Sequence, residues 1–321
     1  MPVNSISSFL KEHGIVFHID KIDGHHVIFT DRGTPIFPIS ICSRTTEEAS
    51  VSAKESQLVI DRICAKTGSY PLIITEDRWM AHGQTMRRRL LAHLQIFIQI
   101  YARNCEVRKI DKAMAAEFLA ANHSYGDATC RYRYGLFLKR YTGHTCESGQ
   151  ERPQPGDLVA VATFSNGRKW IKGDKIIRSY EWTRYASLPG VRLSGGMGRL
   201  LQAFIEDVKP DDIMTYADLE WSQGKVYEAL GFEFEGTKGP VMFSVDCNTW
   251  QRTAQIGLDV TSGDPRRFAA PPSRGWHVTY GCHPAQNMCC ASDKTNSIET
   301  EYRFFRNFGS NKYRLKLTDY Q

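Results

Sequence analysis

With 321 residues, 41% of them apolar and 24% charged, the chain has the composition of a soluble globular protein, able to bury a substantial core as one large domain or two ordinary ones. No apolar run approaches the roughly 20 residues that span a bilayer, and MPVNSISSFLKEHG lacks the basic-then-apolar order of a secretory signal, which disfavours a membrane partner and points to the cytoplasm. The net charge of +6 permits a polyanionic partner such as a nucleic acid without requiring one, and nine scattered cysteines read as reduced thiols rather than a disulfide framework.

In chain order, residues 1–104 read as a small α/β module. Short strands are predicted at Val16–Ile19, Val27–Thr30 and Ile36–Ile41, a helix at Ala53–Lys66 and a buried strand at Pro71–Thr75. MRRRLLAHLQIFIQI reads as a helix with its leucines and isoleucines buried. Arg87, Arg88 and Arg89 then form either a solvated face or one that contacts phosphate.

From Glu106 the pattern resets. The strand EVRKI, a helix from Asp111 through Asn122 with Asp111 as N-cap, the strand YRYGLFL, a polar loop Tyr141–Gly156 and the strand LVAVATFS come first. The strand YEWTRYAS, a glycine turn and helix LSGGMGRLLQAFIEDV, the strand DIMTYADL, a short helix ending in YEALGF, and FEFEG and VMFSV complete residues 105–250. The order is β-α-β-β-β-α-β-α-β-β. Residues 251–321 differ in kind: Thr253–Asn296 is rich in Pro, Gly, Ser and Cys and reads as an irregular extension, and YRFFRNFGSNKYRLKL has the alternation and turn residues of a β-hairpin. Within the extension Cys282, His283, Cys289 and Cys290 cluster near His277, but the spacing fits no familiar zinc pairing, and no metal site is expected.

The glycine turn carries the chemistry. Gly195, Gly196 and Gly198 remove side chains where a phosphate would approach the main chain, and Leu200, Leu201, Phe204, Ile205 and Val208 fix a helix directly after them. A helix N-terminus so exposed gathers free N–H groups that bind phosphate. An ordinary strand-to-helix connection has the same signature. The absence of a Walker lysine and of G-x-G-x-x-G spacing disfavours a nucleotide hydrolase and a dehydrogenase.

On two landmarks, Leu193-Ser-Gly-Gly196-Met-Gly198 and Tyr227-Glu-Ala-Leu-Gly-Phe232, the stretch from Glu106 to about Val245 resembles the GNAT acyltransferase superfamily. The resemblance implies a mixed sheet flanked by helices and acetyl-coenzyme A as cofactor. Its pyrophosphate would lie on Gly195, Gly196, Met197, Gly198 and Arg199, and its pantetheine arm along a splayed strand, Thr183–Ser187, with Tyr185 and Ser187 in contact. It implies Tyr227 as the acid that protonates the departing thiolate. Leu193 stands where the family usually has Gln or Arg.

Three further clusters resemble the Mom-like branch of phage proteins, which modify adenine in DNA: Asn122-His123-Ser-Tyr125-Gly126, Glu181-Trp-Thr-Arg184, and Tyr216-Ala-Asp218 before Trp221-Ser-x-Gly224. This implies His123, Arg184 and Asp218 as site residues and a nucleic-acid amine as acceptor, with Trp221, Tyr125 and Tyr132 available to stack a flipped base. Ser124 separates His123 from Tyr125, residues adjacent in that branch. Read from the residues alone, Arg184 and Asp218 form a structural ion pair or together orient a base. The first block is similar to very-short-patch-repair-type nucleases in the strand ending at Glu76, with Asp61 and Lys54 nearby. A protein or small-amine acetyltransferase, or a nucleic-acid-binding or nuclease protein on a GNAT-like scaffold, are the alternatives.

Overall fold

The computed structural model describes residues 2–141, 152–255 and 301–320. The first block opens with helix α1 (Pro2–Glu12), whose Val3, Ile6, Phe9 and Leu10 recur at helical spacing and are buried. Strands β1 (Phe17–Ile22) and β2 (His25–Thr30) form a hairpin whose turn, Asp23-Gly24, has both residues at positive φ. After β3 (Ile36–Ile39), helix α2 (Thr46–Thr67) starts at Thr45, which accepts the Glu48 N–H at 3.2 Å, and stops at left-handed Gly68. It returns the chain to β4 (Leu72–Thr75), parallel to β3, and completes the sheet β1-β2-β3-β4. Helices α3 (Glu76–Ala81) and α4 (Gly83–His93) pack on β4 through Trp79, Met86 and Leu90.

The helix expected from Met86 onward therefore ends at His93. Gln95 adopts a left-handed φ of 64°, and Ile98–Tyr101 forms strand β5, with Ile98 and Ile100 buried and Gln99 and Tyr101 half-buried. This period-two burial outweighs the apolar run that suggested a continuous helix.

The second region follows as β6 (Cys105–Lys109), α5 (Lys112–Asn122), β7 (Tyr132–Leu138), β8 (Leu158–Phe164), β9 (Arg168–Lys172), β10 (Lys175–Ser187), β11 (Val191–Ser194), α6 (Gly196–Val208), β12 (Asp212–Asp218), α7 (Lys225–Ala229) and β13 (Glu233–Lys238). Asp111 caps α5 as expected, accepting the Met114 N–H at 2.8 Å. Strands β14 (Met242–Asp246), β15 (Arg252–Ala254), β16 (Tyr302–Arg306) and β17 (Ser310–Lys316) finish the described chain. The large sheet runs β13-β17-β12-β10-β8-β7-β6, with β9 on the first half of β10; β10 and β12 are parallel and their other neighbours antiparallel, so the sheet is mixed. Helix α6 lies on it, with Phe204 stacked on Phe164 at 3.9 Å between centroids and Leu200 and Leu201 buried beside it. Each of these side chains contributes about 2 kcal/mol through burial. The mixed α/β class and the smaller preceding module are as expected.

The terminal hairpin does not form. β16 pairs with β14 in a three-stranded sheet, β15-β14-β16, whereas β17 crosses into the large sheet between β12 and β13. Each strand has its own core to fill: Phe305 of β16 and nearby Phe308 pack with α2 residues Val59, Ile60 and Ile63, while Tyr313 of β17 is buried under α7. The connecting Gly309 has φ 78°, and a Cβ there would stand 2.3 Å from the Lys238 carbonyl, so only glycine allows the crossing. Alternation identified both strands correctly but carries no information about the partner. Residues of the final segment are thus integral to the large sheet. The cluster Cys282, His283, Cys289, Cys290 and His277 lies outside the described residues.

Candidate functional site

Strand β10 changes partners along its length. Its Ser179–Glu181 pairs with Asp212–Met214 of β12, and there the two parallel strands part. From Trp182 to Ser187 β10 pairs only with β8, with a register shift at Thr183, while β12 continues beside β17 to Asp218. A bulge of this kind bends the strand and increases its twist, which opens the gap. The gap continues into a cavity of about 760 Å³, lined by Glu181–Ser187 of β10, Thr215–Asp218 of β12, the His123–Tyr125 turn, α7 and one face of α4. It brings together His123, Arg184, Asp218 and Tyr227, and with them Tyr185, Ser187 and Met197.

Asp218 ends β12. Its Oδ1 accepts the Glu220 N–H at 2.9 Å, its Oδ2 accepts the Tyr125 hydroxyl at 2.9 Å, and Arg78 Nη2 lies 3.5 Å from Oδ2. Burial and the neighbouring Glu220 raise its pKa above the ordinary carboxylate value, against the pull of Arg78. The expected pairing of Arg184 with Asp218 is not made. Arg184 instead donates to the carbonyls of Gly126 (3.3 Å) and Thr183 (2.9 Å) and lies 6.0 Å from the Tyr125 ring, because the parting of β10 from β12 holds the two strand ends on opposite walls.

His123 caps α5 at its C-terminus, and its Nδ1 accepts the Tyr125 N–H at 3.1 Å, which leaves the ring proton on Nε2. Burial, then Arg184 and Arg78, push its pKa down to about 4. It is a neutral hydrogen-bonding group at neutral pH, not a proton-charged one. Tyr227 on α7 packs against Trp182, Phe232 and Tyr313, and burial raises its pKa, so its hydroxyl stays protonated beside Thr215. Tyr185, also raised by burial, and Ser187 lie on the cavity side of β10.

The glycine turn is built differently from its sequence reading. Gly195 is the N-cap of α6 with φ 77°, and no side chain of the described residues caps the helix. A Cβ on Gly196 would meet the Leu193 side chain at 2.5 Å, and one on Gly198 would meet Leu230 at 3.2 Å. These two glycines make room for the chain's own leucines. Of the turn only Met197 lines the cavity, and Gly195, Gly196, Gly198 and Arg199 stand outside its lining. The strand leading to the turn, β11, is held parallel to β5 of the first block, with Gln99 Nε2 donating to Ser194 Oγ at 2.7 Å.

Sequence reasoning missed the group that supports Asp218. Arg78 is buried, its Nε 2.8 Å from Glu220 Oε2 and its Nη2 donating to the Tyr125 hydroxyl at 2.7 Å. Arg252 on β15 binds the other side of Glu220 at 2.8 Å, Thr75 Oγ1 at 2.8 Å and both oxygens of Asp77. Burial works against the charge of Glu220, but Arg252 and Arg78 outweigh it and hold the carboxyl well below the usual range. The partners are separated by 142 and 32 residues in sequence, and nothing local announces them. Elsewhere in the first block Glu76 Oε2 accepts the Ile41 N–H at 2.9 Å, and Asp61 accepts from Gln57 on the exposed side of α2, so the carboxylates and Lys54 of the nuclease resemblance do not converge. Tyr132 packs edge-on against Tyr180 and Phe204 under α6, which removes it from the stacking candidates.

No family model and no curated protein matches the chain. Among solved structures it is similar to the NatC complex bound to a Gag peptide and CoA, at 13% identity over 42% of this chain and 88% of that one, with a TM-score of 0.30. It is similar to a conserved Enterococcus faecalis protein of unknown function described as a probable N-acyltransferase, at 13% identity over 46% of this chain and 36% of that one, TM-score 0.30. A mutant AtaT toxin bound to the C-terminus of the antitoxin AtaR and acetyl-CoA is similar at 12% identity over 41% and 87% of the two chains, TM-score 0.25. The fold is accordingly read from the strand order and the parting of β10 and β12 themselves.

Proposed function

We propose that the chain is an acyl-coenzyme A-dependent N-acyltransferase of the GNAT type. The observation that carries this reading is the parting of β10 from β12, which leaves the Thr183–Ser187 edge without a strand partner beside a cavity that also holds Asp218 and Tyr227. A free main-chain edge suits the amides of a pantetheine arm, and the uncapped first turn of α6 suits a pyrophosphate. The coenzyme, when bound, supplies an acyl group as a thioester. Asp218, with its raised pKa, takes the proton that the attacking amine loses; Tyr227, kept protonated by burial, gives one to the departing sulfur. His123, neutral, offers the Nε2 proton as a hydrogen bond.

Within this reading the acceptor amine belongs to a nucleic acid. Arg88, Arg184 and Lys238 line the cavity, and the Tyr125 ring is 44% exposed there, available to stack a base. Calorimetry with coenzyme A, followed by transfer of labelled acetyl groups to DNA, RNA, peptides and small amines, tests both levels. Failure to bind the coenzyme sinks the transferase; transfer to peptide or amine but not to nucleic acid moves the acceptor. Tyr227→Phe and Asp218→Asn are each expected to lower the turnover about 100-fold while leaving coenzyme affinity within about 3-fold. The wild-type rate should fall on acidification from a point above the ordinary Asp value of about 3.9, since burial lifts Asp218, and the N variant should lose that limb.

A further inference from the structure

Helix α4 turns one face to the cavity: Thr85, Arg88, Arg89 and Ala92, at i, i+3, i+4 and i+7, line it together. The three consecutive arginines divide by that geometry. Arg87 points away, over the rings of Trp79 (5.5 Å) and Phe9 (6.0 Å). Arg89 is engaged by the fold, donating to the carbonyls of Ile73 (3.1 Å), Glu220 (3.0 Å) and Trp221 (2.8 Å) and lying 4.2 Å from the Trp221 ring. Arg88 is a cavity-lining guanidinium with no hydrogen bond, ion pair or ring contact among the described residues.

The surroundings favour an anion. Of the carboxylates that line the cavity, Asp218 is taken up by Arg78, Tyr125 and the Glu220 N–H, which leaves Glu181 beside three lining cations, Arg88, Arg184 and Lys238. Leu188–Val191, the turn that delivers β11 toward α6, lines the same cavity. A little further on, Leu193 occupies the position where the GNAT resemblance expects Gln or Arg, and its side chain is packed at Gly196. Arg88 is thus a lining cation contributed by the first block.

We infer that Arg88 is an anion-binding residue that holds a phosphate group of the ligand. A guanidinium presents two parallel N–H donors that match phosphate oxygens, and the lining cations outnumber the one carboxylate, Glu181, left to repel an anion. The inference rests on the transferase reading only for which ligand brings the phosphate, the coenzyme or the acceptor.

Calorimetry on the full chain, with inorganic pyrophosphate, coenzyme A and phosphate-free pantetheine as probes, compares the wild type with Arg88→Gln and with Arg87→Gln, which removes the same charge outside the cavity. Arg88→Gln should weaken pyrophosphate binding about 10-fold or more and leave pantetheine unchanged, and Arg87→Gln should alter neither. A parallel loss for coenzyme A assigns the phosphate to the coenzyme; unchanged coenzyme A affinity with pyrophosphate binding lost assigns it to the acceptor. A wild type that binds pyrophosphate but not coenzyme A defeats the transferase reading and leaves the anion site standing. Equal binding of all three probes by Arg88→Gln, an equal loss for pantetheine, or no pyrophosphate binding by the wild type overturns the inference.

Discussion

The glycine turn into α6 and the arginine face of α4 are both placed otherwise than their sequences suggest at first reading. The turn looks like a phosphate cradle, yet Gly196 and Gly198 are small because Leu193 and Leu230 fill the space a side chain would need. The face of α4 looks like a solvated basic run, yet Arg88 stands in the cavity. A glycine reports only that something comes close; the chain itself can be that something. A charged residue on a helix reports even less until the helix is placed.

A buried charge cluster lies beneath the cavity residue Asp218, and breaking it should have the largest effect. Glu220 binds Arg78 and Arg252 at once in a buried site that joins α3, the end of β12 and β15. Glu220→Ala would leave two buried guanidiniums short of their counter-charge, and a loss of about 3–5 kcal/mol in urea unfolding is expected. Arg87→Ala, at the exposed end of the same arginine run, should lose no more than its contact with the Trp79 and Phe9 rings, about 1 kcal/mol or less. Similar values for the two would mean that the cluster adds no more to stability than an exposed arginine does.

Local signals account for how much of this was legible. Period-two and helical burial patterns located most elements, and the clusters around His123, Arg184, Asp218 and Tyr227 do line one cavity. What stayed hidden was long-range. The exchange of β17 into the large sheet, the pairing of β5 with β11, and Arg78 and Arg252 on Glu220 all join residues far apart, whose local sequence is compatible with several partners. The helix read through Ile100 failed because a left-handed Gln95 has no strong sequence mark.

The turn itself can be tested by filling it. Gly196→Ala places a methyl group 2.5 Å from Leu193, and overpacking of this kind costs about 1–3 kcal/mol. Trimming the neighbour in Leu193→Ala/Gly196→Ala should recover most of that loss, a non-additivity that double-mutant unfolding curves measure directly. Additive losses would show that the Leu193 contact is not what requires a glycine at 196.

The pH dependence set by His123 tests whether the cavity wall is positive. Burial together with Arg184 and Arg78 lowers its pKa to about 4, whereas the unfolded chain titrates near the ordinary value of about 6.5. The fold therefore favours the neutral ring. That contribution is complete above the unfolded value and is lost as the pH falls from about 6.5 to about 4, because the unfolded state takes up the proton first; below this range the folded state is protonated too and the loss stops. The expected decline is about 3 kcal/mol, read from unfolding curves at several pH values. His123→Gln should flatten the profile by that amount, and Arg184→Ala should shift the NMR titration of His123 upward by removing one of the two cations that oppose its charge. A His123 that titrates at the unfolded value in the intact protein would mean that the imidazole is solvated and feels neither arginine.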